Sequence, residues 1–185
     1  MSYFLKFTAI VLAIVCSVSL FAQTASKRMP GAALYVYNIN NADKPAPGAE
    51  PINVIVDSQR GFNRMNLSKY NETYAIYNRD LHLVWTGYIY IEQEGVYIFS
   101  LNYNDTNNFG APSVIFQIND KNFLKISLDQ RLYSNSCSVR MGKGYYKLTF
   151  MCRATGESNF SVRMWNKATP LKKIDITPAS LYHEE

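Results

Sequence analysis

Histidine is nearly missing from this chain of 185 residues. There are two, His82 and His183, and no Cys/His cluster. That argues against a zinc enzyme or a histidine-rich metal site, because both need several such ligands to converge. Charge is scarce as well: Asp, Glu, Lys and Arg make up 18% of residues, with a formal net charge of +5. Low charge beside 14% aromatic residues, 14 of them Tyr, excludes a disordered chain and argues for a packed core. Catalytic signatures are absent too. No Gly-x-Ser-x-Gly elbow, phosphate loop or His-Glu-x-x-His occurs, and neither His lies near a nucleophile motif. Glu92 and Glu94 are two apart in a turn, which alone does not make a hydrolase. The expectation is a protein that is not an enzyme.

What is present begins with residues 1–22, MSYFLKFTAIVLAIVCSVSLFA. Lys6 gives a positive start, residues 7–19 are apolar or small, and Ala22 precedes a polar stretch, the layout of a cleaved secretory signal. The apolar core is shorter than the ~20 residues that span a bilayer, and no later run is long enough, so no permanent membrane span is expected. Residues 23–31 read as a linker and 32–185 as one domain. The protein is placed outside the cytoplasm, either secreted or in the periplasm or at the cell surface. That location disfavours nucleic acid as a partner.

Alternation with period two dominates the rest. AALYVYNI reads as a first strand, and residues 40–51, rich in Pro, Gly and Asn, as a long surface connection. Residues 52–58 read as a second strand. Trp85, Gly87, Ile89 and Ile91 share one face of a strand, with Thr86, Tyr88 and Tyr90 on the other. A turn at Glu92–Gly95 leads to Tyr97, Phe99 and Leu101, which suggests a hairpin. Strands follow at 113–118, 123–129 and 159–167. SCSVRM and YYKLTFMCRA flank Gly142–Gly144 and read as a second hairpin. The fold class is therefore all-β: an antiparallel β-sandwich of two sheets.

That second hairpin bears on the cysteines. Pairing about Lys143 and Gly144 leaves Cys137 and Cys152 one diagonal step apart, on the apolar face. A bulge near Gly142 would align them. In an oxidising compartment a Cys137–Cys152 bridge is the expectation, contributing roughly 2–4 kcal/mol, with two buried thiols as the other reading.

The order of motifs now carries a resemblance: Trp-x-Gly, then Gly-x-Tyr-x-Phe-x-Leu, a polar loop, an apolar strand, Gly-Tyr-Tyr-x-Leu-x-Phe, and a late strand with Trp. It resembles the protective-antigen-type domain of bacterial toxins, glycosidases and yeast flocculins. The matching residues are Trp85, Gly87, Gly95, Tyr97, Phe99, Leu101, Gly144, Tyr146, Leu148 and Trp165, with ITPASLYH resembling the closing segment. In sugar-binding members the loop after the Gly-x-Tyr-x-Phe strand carries adjacent acidic residues that hold calcium, which in turn holds sugar hydroxyls. The resemblance places that pair on Asn104 and Asp105. One carboxylate has become an amide and TNNFGAPS follows, so calcium is expected to bind weakly or not at all.

Four further features each carry two readings. Asn119 and Asp120 are either a hairpin turn stabilised by their own side chains or a second rim of the pocket. Trp165 packs on its sheet or faces out to stack on a sugar ring. Tyr103 is open to both roles. The segment 131–173 holds nine basic residues and one acidic, which is a solvated face or an attractor of acidic partners. The expected function is a carbohydrate- or glycoconjugate-binding adhesion module whose ligand-binding residues are Tyr103, Asn104, Asp105, Asn119, Asp120 and Trp165. The alternative is an assembly subunit of an appendage or envelope complex with a protein partner.

Overall fold

The computed structural model describes residues 27–38, 44–63, 81–103, 113–126, 134–154 and 159–184. Residues Met29–His183 form one compact unit. Met1–Arg28 with Glu184–Glu185 form another, within which the Arg28 guanidinium donates to the Glu184 carboxylate at 3.0 Å.

Among the described residues there are thirteen strands, one short 3-10 turn at Pro178–Ser180 and no α-helix. The strands are β1 (Arg28–Pro30), β2 (Ala32–Asn38), β3 (Asn53–Asp57), β4 (Phe62–Asn63), β5 (Leu81–Ile91), β6 (Gly95–Tyr103) and β7 (Val114–Ile118). They continue with β8 (Lys121–Ile126), β9 (Ser134–Met141), β10 (Gly144–Ala154), β11 (Asn159–Asn166), β12 (Ile174–Ile176) and β13 (Tyr182–Glu184). Strand β1 falls inside the segment read as a linker. No helix among the described residues is long and apolar enough to cross a membrane.

The chain is an all-β sandwich of two antiparallel sheets. The larger, of eight strands, runs β1-β13-β5-β10-β7-β8, with β2 also on β5 and β3 outside β2. The smaller, of five, runs β12-β11-β6-β9, with β4 on β11. Alternation explains the core. Leu83, Trp85, Ile89 and Ile91 of β5 and Leu148, Phe150 and Cys152 of β10 point inward from one sheet. Phe99 and Leu101 of β6 and Phe160, Val162 and Met164 of β11 meet them from the other. Phe62 stacks on its neighbour Phe160 within the smaller sheet at 4.7 Å, and rings bridge the layers where Phe62 lies edge-on to Trp85 at 5.5 Å and Phe99 meets Phe116 at 5.2 Å. The Trp85 indole Nε1 donates to the buried Asp57 carboxylate at 2.8 Å, so the one polar atom of that ring is satisfied inside the core.

Both hairpins expected from the pattern are corrected. β5 lies in the larger sheet and β6 in the smaller, and β9 and β10 are likewise divided. The short connections Glu92–Glu94 and Gly142–Lys143 carry the chain across the sandwich rather than back along one sheet. The expected Cys137–Cys152 bridge is corrected with them, since both residues are thiols. Cys137 sits opposite Phe99 in the smaller sheet, and Cys152 opposite Leu83 and Val114 in the larger. The register that would have brought them together does not exist. Burial raises the Cys137 thiol pKa, against a hydrogen bond with the Phe99 backbone that lowers it.

Candidate functional site

Because β5 turns tightly into β6, the opposite ends of those strands also coincide. Register places Asn38, Leu81 and Ala154 side by side, with Val114 and Ile126 next to them. In the smaller sheet Asn63 pairs with Asn159, Tyr103 with Phe160, and Asn102 with Ser134. Nine strand ends therefore gather at one end of the sandwich, and the chain segments 39–43, 64–80, 104–112, 127–133 and 155–158 depart from or return to them. This is the loop-bearing end.

On the outer face of the larger sheet, at this end, a polar row crosses three strands and ends on the residue before β7. Tyr37 opposes His82, His82 opposes Arg153, and the Arg153 amide donates to the Ser113 carbonyl at 2.9 Å. Directly opposed residues stand about 5 Å apart at Cβ. His82 and Ser113 are buried, and burial beside Tyr35 raises the Tyr37 hydroxyl pKa. Among the described residues, the buried Ser113 hydroxyl and the buried Arg153 Nε have no hydrogen-bond partner. Unsatisfied donors of this kind cost about 1–3 kcal/mol each unless an acceptor reaches them.

The residues expected to bind ligand are spread over the molecule. Tyr103 closes β6 at the loop-bearing end. Asn104 and Asp105, and with them the calcium expectation, lie outside the described residues. Among the described residues no group of three or more His, Cys, Asp or Glu converges to hold a metal. Asn119 and Asp120 join β7 to β8 with φ of 48° and 62°, the mirror-image conformation that a two-residue hairpin needs. Five residues of β7 separate this turn from Ser113, so it sits toward the other end of the hairpin. The Asn119 carbonyl oxygen Oδ1 accepts from the Lys147 amide at 3.0 Å, the Asn119 amide donates to the Lys147 carbonyl at 2.8 Å, and Lys147 Nζ donates to Asp120 at 3.0 Å. The turn thus uses its side chains to hold β10. Trp165 does face out, from the smaller sheet, with Lys173 Nζ 5.1 Å from its ring centroid. It and the Asn119–Asp120 turn are on different sheets.

At the tight end a cleft of about 350 Å³ is lined by Gln93, Glu94, Gly95, Val96, Asn166, Lys167 and Ala168. A Cβ on Gly95 would come 2.5 Å from Asn166 Nδ2, so glycine there is what allows Asn166 to fold in and accept from the Ala168 amide at 2.9 Å. Sequence reasoning missed the polar row and a second feature, an exposed tyrosine cluster on the outer face of the larger sheet. Tyr90 and Tyr145 oppose each other with ring centroids 4.8 Å apart, and Tyr182 lies 6.2 Å from Tyr145. Its signal was already in the alternation, which put Tyr88 and Tyr90 on the face away from Trp85.

No family model and no curated protein matches this sequence. Solved structures do share the fold. The PA14 domain of the MpAFP antifreeze protein is similar over 86% of this chain and 94% of its own, at 13% identity and TM-score 0.58. The A domain of epithelial adhesin 6 from Candida glabrata, solved with Galb1-3GlcNAc, is similar over 88% and 90%, at 9% identity and TM-score 0.57. A beta-glucosidase from Kluyveromyces marxianus, solved with glucose, matches over 74% of this chain at 18% identity and TM-score 0.57. This chain spans 17% of that enzyme's length. At these identities the likeness is one of fold: a PA14-like β-sandwich.

Proposed function

We propose that this chain is an exported, non-catalytic module of the protective-antigen type that binds a glycan or cell-surface glycoconjugate at its loop-bearing end. The observation that carries this reading is the near full-length likeness to an adhesin domain solved with a disaccharide. The gathering of nine strand ends supports it, since loops on a rigid scaffold are where such folds place binding residues. Asn104 and Asp105 supply oxygen ligands for calcium in this reading, with Tyr103 beside them. A glycan array probed with and without calcium tests it. Binding that weakens in chelator and in Asp105→Ala is expected, and no binding to any glycan would sink it.

A second reading, an assembly subunit of an envelope or appendage complex, is favoured by one specific surface. Among the described strands β3 pairs with β2 alone, and Val54 and Val56 along it, with Ile52 just before it, stand exposed. An apolar edge without lysine or proline invites strand addition by a partner. Pull-down from the native envelope, compared with Val54→Lys, separates this reading from the first.

A further inference from the structure

Resting on the carbohydrate-binding reading, we propose a sugar site away from the loop-bearing end, on the outer face of the larger sheet. Tyr90, Tyr145 and Tyr182 build it, Lys147 and Asp120 form its rim, and it takes a pyranose unit of a soluble, neutral oligosaccharide.

Accessibility comes first. Tyr90, Tyr145 and Tyr182 are 39%, 45% and 37% exposed, among the few large apolar side chains on the surface. They are not scattered. Tyr145 of β10 opposes Tyr90 of β5, and Tyr182 of β13 opposes Tyr88 in the next row. Three elements distant in sequence thus bring their rings to one spot. A cross-strand aromatic pair contributes about 0.2–1 kcal/mol to a sheet, which accounts for Tyr90 and Tyr145 but not for the third ring brought up from β13. An aggregated exposed patch marks a binding surface instead.

The ring geometry selects the ligand. Tyr90 and Tyr145 are tilted by 50°, and Tyr145 and Tyr182 stand at 90°. No common plane exists, so a crystalline polysaccharide surface, which needs coplanar rings, is excluded. Rings in contact at these angles offer one exposed aromatic face at a time, enough for a single sugar ring to lie on, since a tyrosine gives an apolar body with a polar tip.

The rim supplies the polar half of recognition. Lys147 follows Tyr145 on the same face of β10, about 7 Å along the strand. Its ammonium is held at 3.0 Å by the Asp120 carboxylate, and Asp120 is itself fixed by the left-handed turn it shares with Asn119. A donor and an acceptor placed side by side match vicinal hydroxyls. Because the two charges compensate, the rim favours a neutral sugar over a uronate or a sulfated one.

The test titrates the full mature chain with lactose and with cellotetraose, read by NMR shift changes or calorimetry. Tyr145→Ala and the double variant Tyr90→Ala/Tyr182→Ala are expected to weaken binding at least ten-fold. Tyr145→Trp retains it, and Asp120→Asn weakens it a few-fold. Thermal melts of each variant confirm folding. Binding unaffected by the tyrosine variants but lost in chelator or in Asp105→Ala overturns this site and leaves the loop-end reading standing. Binding lost with the tyrosines yet indifferent to Asp105→Ala and chelator supports this site and removes the loop assignment. A wild-type dimer in sedimentation that the tyrosine variants dissolve, without any sugar bound, overturns the proposal in favour of a second copy as the occupant.

Discussion

At the tight end of the sandwich, β5 reaches β6 through Glu92–Glu94 and β9 reaches β10 through Gly142–Lys143. At the other end the same four strands adjoin four longer segments, 64–80, 104–112, 127–133 and 155–158. The tight crossings are locked by one device used twice. Each following strand opens Gly-x-Tyr, and the tyrosine hydroxyl reaches back four residues. Tyr97 donates to the Gln93 carbonyl at 2.6 Å, and Tyr146 accepts from the Gly142 amide at 2.8 Å. A short span between sheets leaves backbone groups without ladder partners, and a phenol at a fixed distance satisfies one of them. The loop-bearing end has an aromatic floor instead, made by Phe62, Trp85, Phe150 and Phe160. The difference teaches that hydrogen bonds from tyrosines close one end and ring packing fills the other.

The sharpest way to break that contrast is to remove the floor. Trp85→Ala deletes a buried ring and leaves the Asp57 carboxylate without its indole donor. A loss of about 3–5 kcal/mol is expected in denaturant melts. At the tight end, Gly95→Ala drives a Cβ to 2.5 Å from Asn166, which must leave its place. The expected cost is about 1–3 kcal/mol. A loss as large as that of Trp85→Ala would show that the tight end, not the floor, holds the two sheets together.

Smaller effects sharpen the comparison. Tyr97→Phe and Tyr146→Phe should each lower stability by about 0.5–1.5 kcal/mol, the net worth of a single hydrogen bond. Unequal losses would mean that the two crossings are not equivalent. Asp120→Ala removes an exposed ion pair and should change stability by less than about 1 kcal/mol. The thiols predict a null result: intact mass is the same with and without reductant. Because burial raises the Cys137 pKa, labelling of the folded protein at that site needs a higher pH than an open thiol does. The sign for stability follows. The neutral thiol is favoured in the folded state, so its contribution is complete below the unfolded pKa and declines as pH rises through the folded one.

Much of the fold was legible in the residues. Period-two alternation located β2, β3, β5, β6, β7, β10 and β11 and gave the inward parity of Trp85, Phe99 and Phe150 correctly. The Asn119–Asp120 turn was legible too, because Asn and Asp tolerate positive φ. Parity with Met164 left Trp165 open between packing on its sheet and facing out, and the residue is half-buried with Lys173 over its ring. Gly87 in the Trp-x-Gly motif acquired a reason only from packing. A Cβ there would meet Leu181 Cβ at 2.8 Å, a contact between residues almost a hundred positions apart. The polar row was invisible for the same cause, since Tyr37, His82 and Arg153 come from three strands and Ser113 from the residue before β7, and no local pattern joins them.

The sequence by itself determined which residues alternate and which face of each strand is apolar, because side chains on an extended chain must point to opposite sides. It did not determine where each strand goes next. A strand, a short polar turn and another strand look the same whether the chain doubles back or crosses to the facing sheet. The tertiary structure decided that, because only the complete set of apolar faces establishes which partner each must cover to leave water. That choice separated Cys137 from Cys152, brought three tyrosines to one surface, and gathered the ends of nine strands at one end of the sandwich.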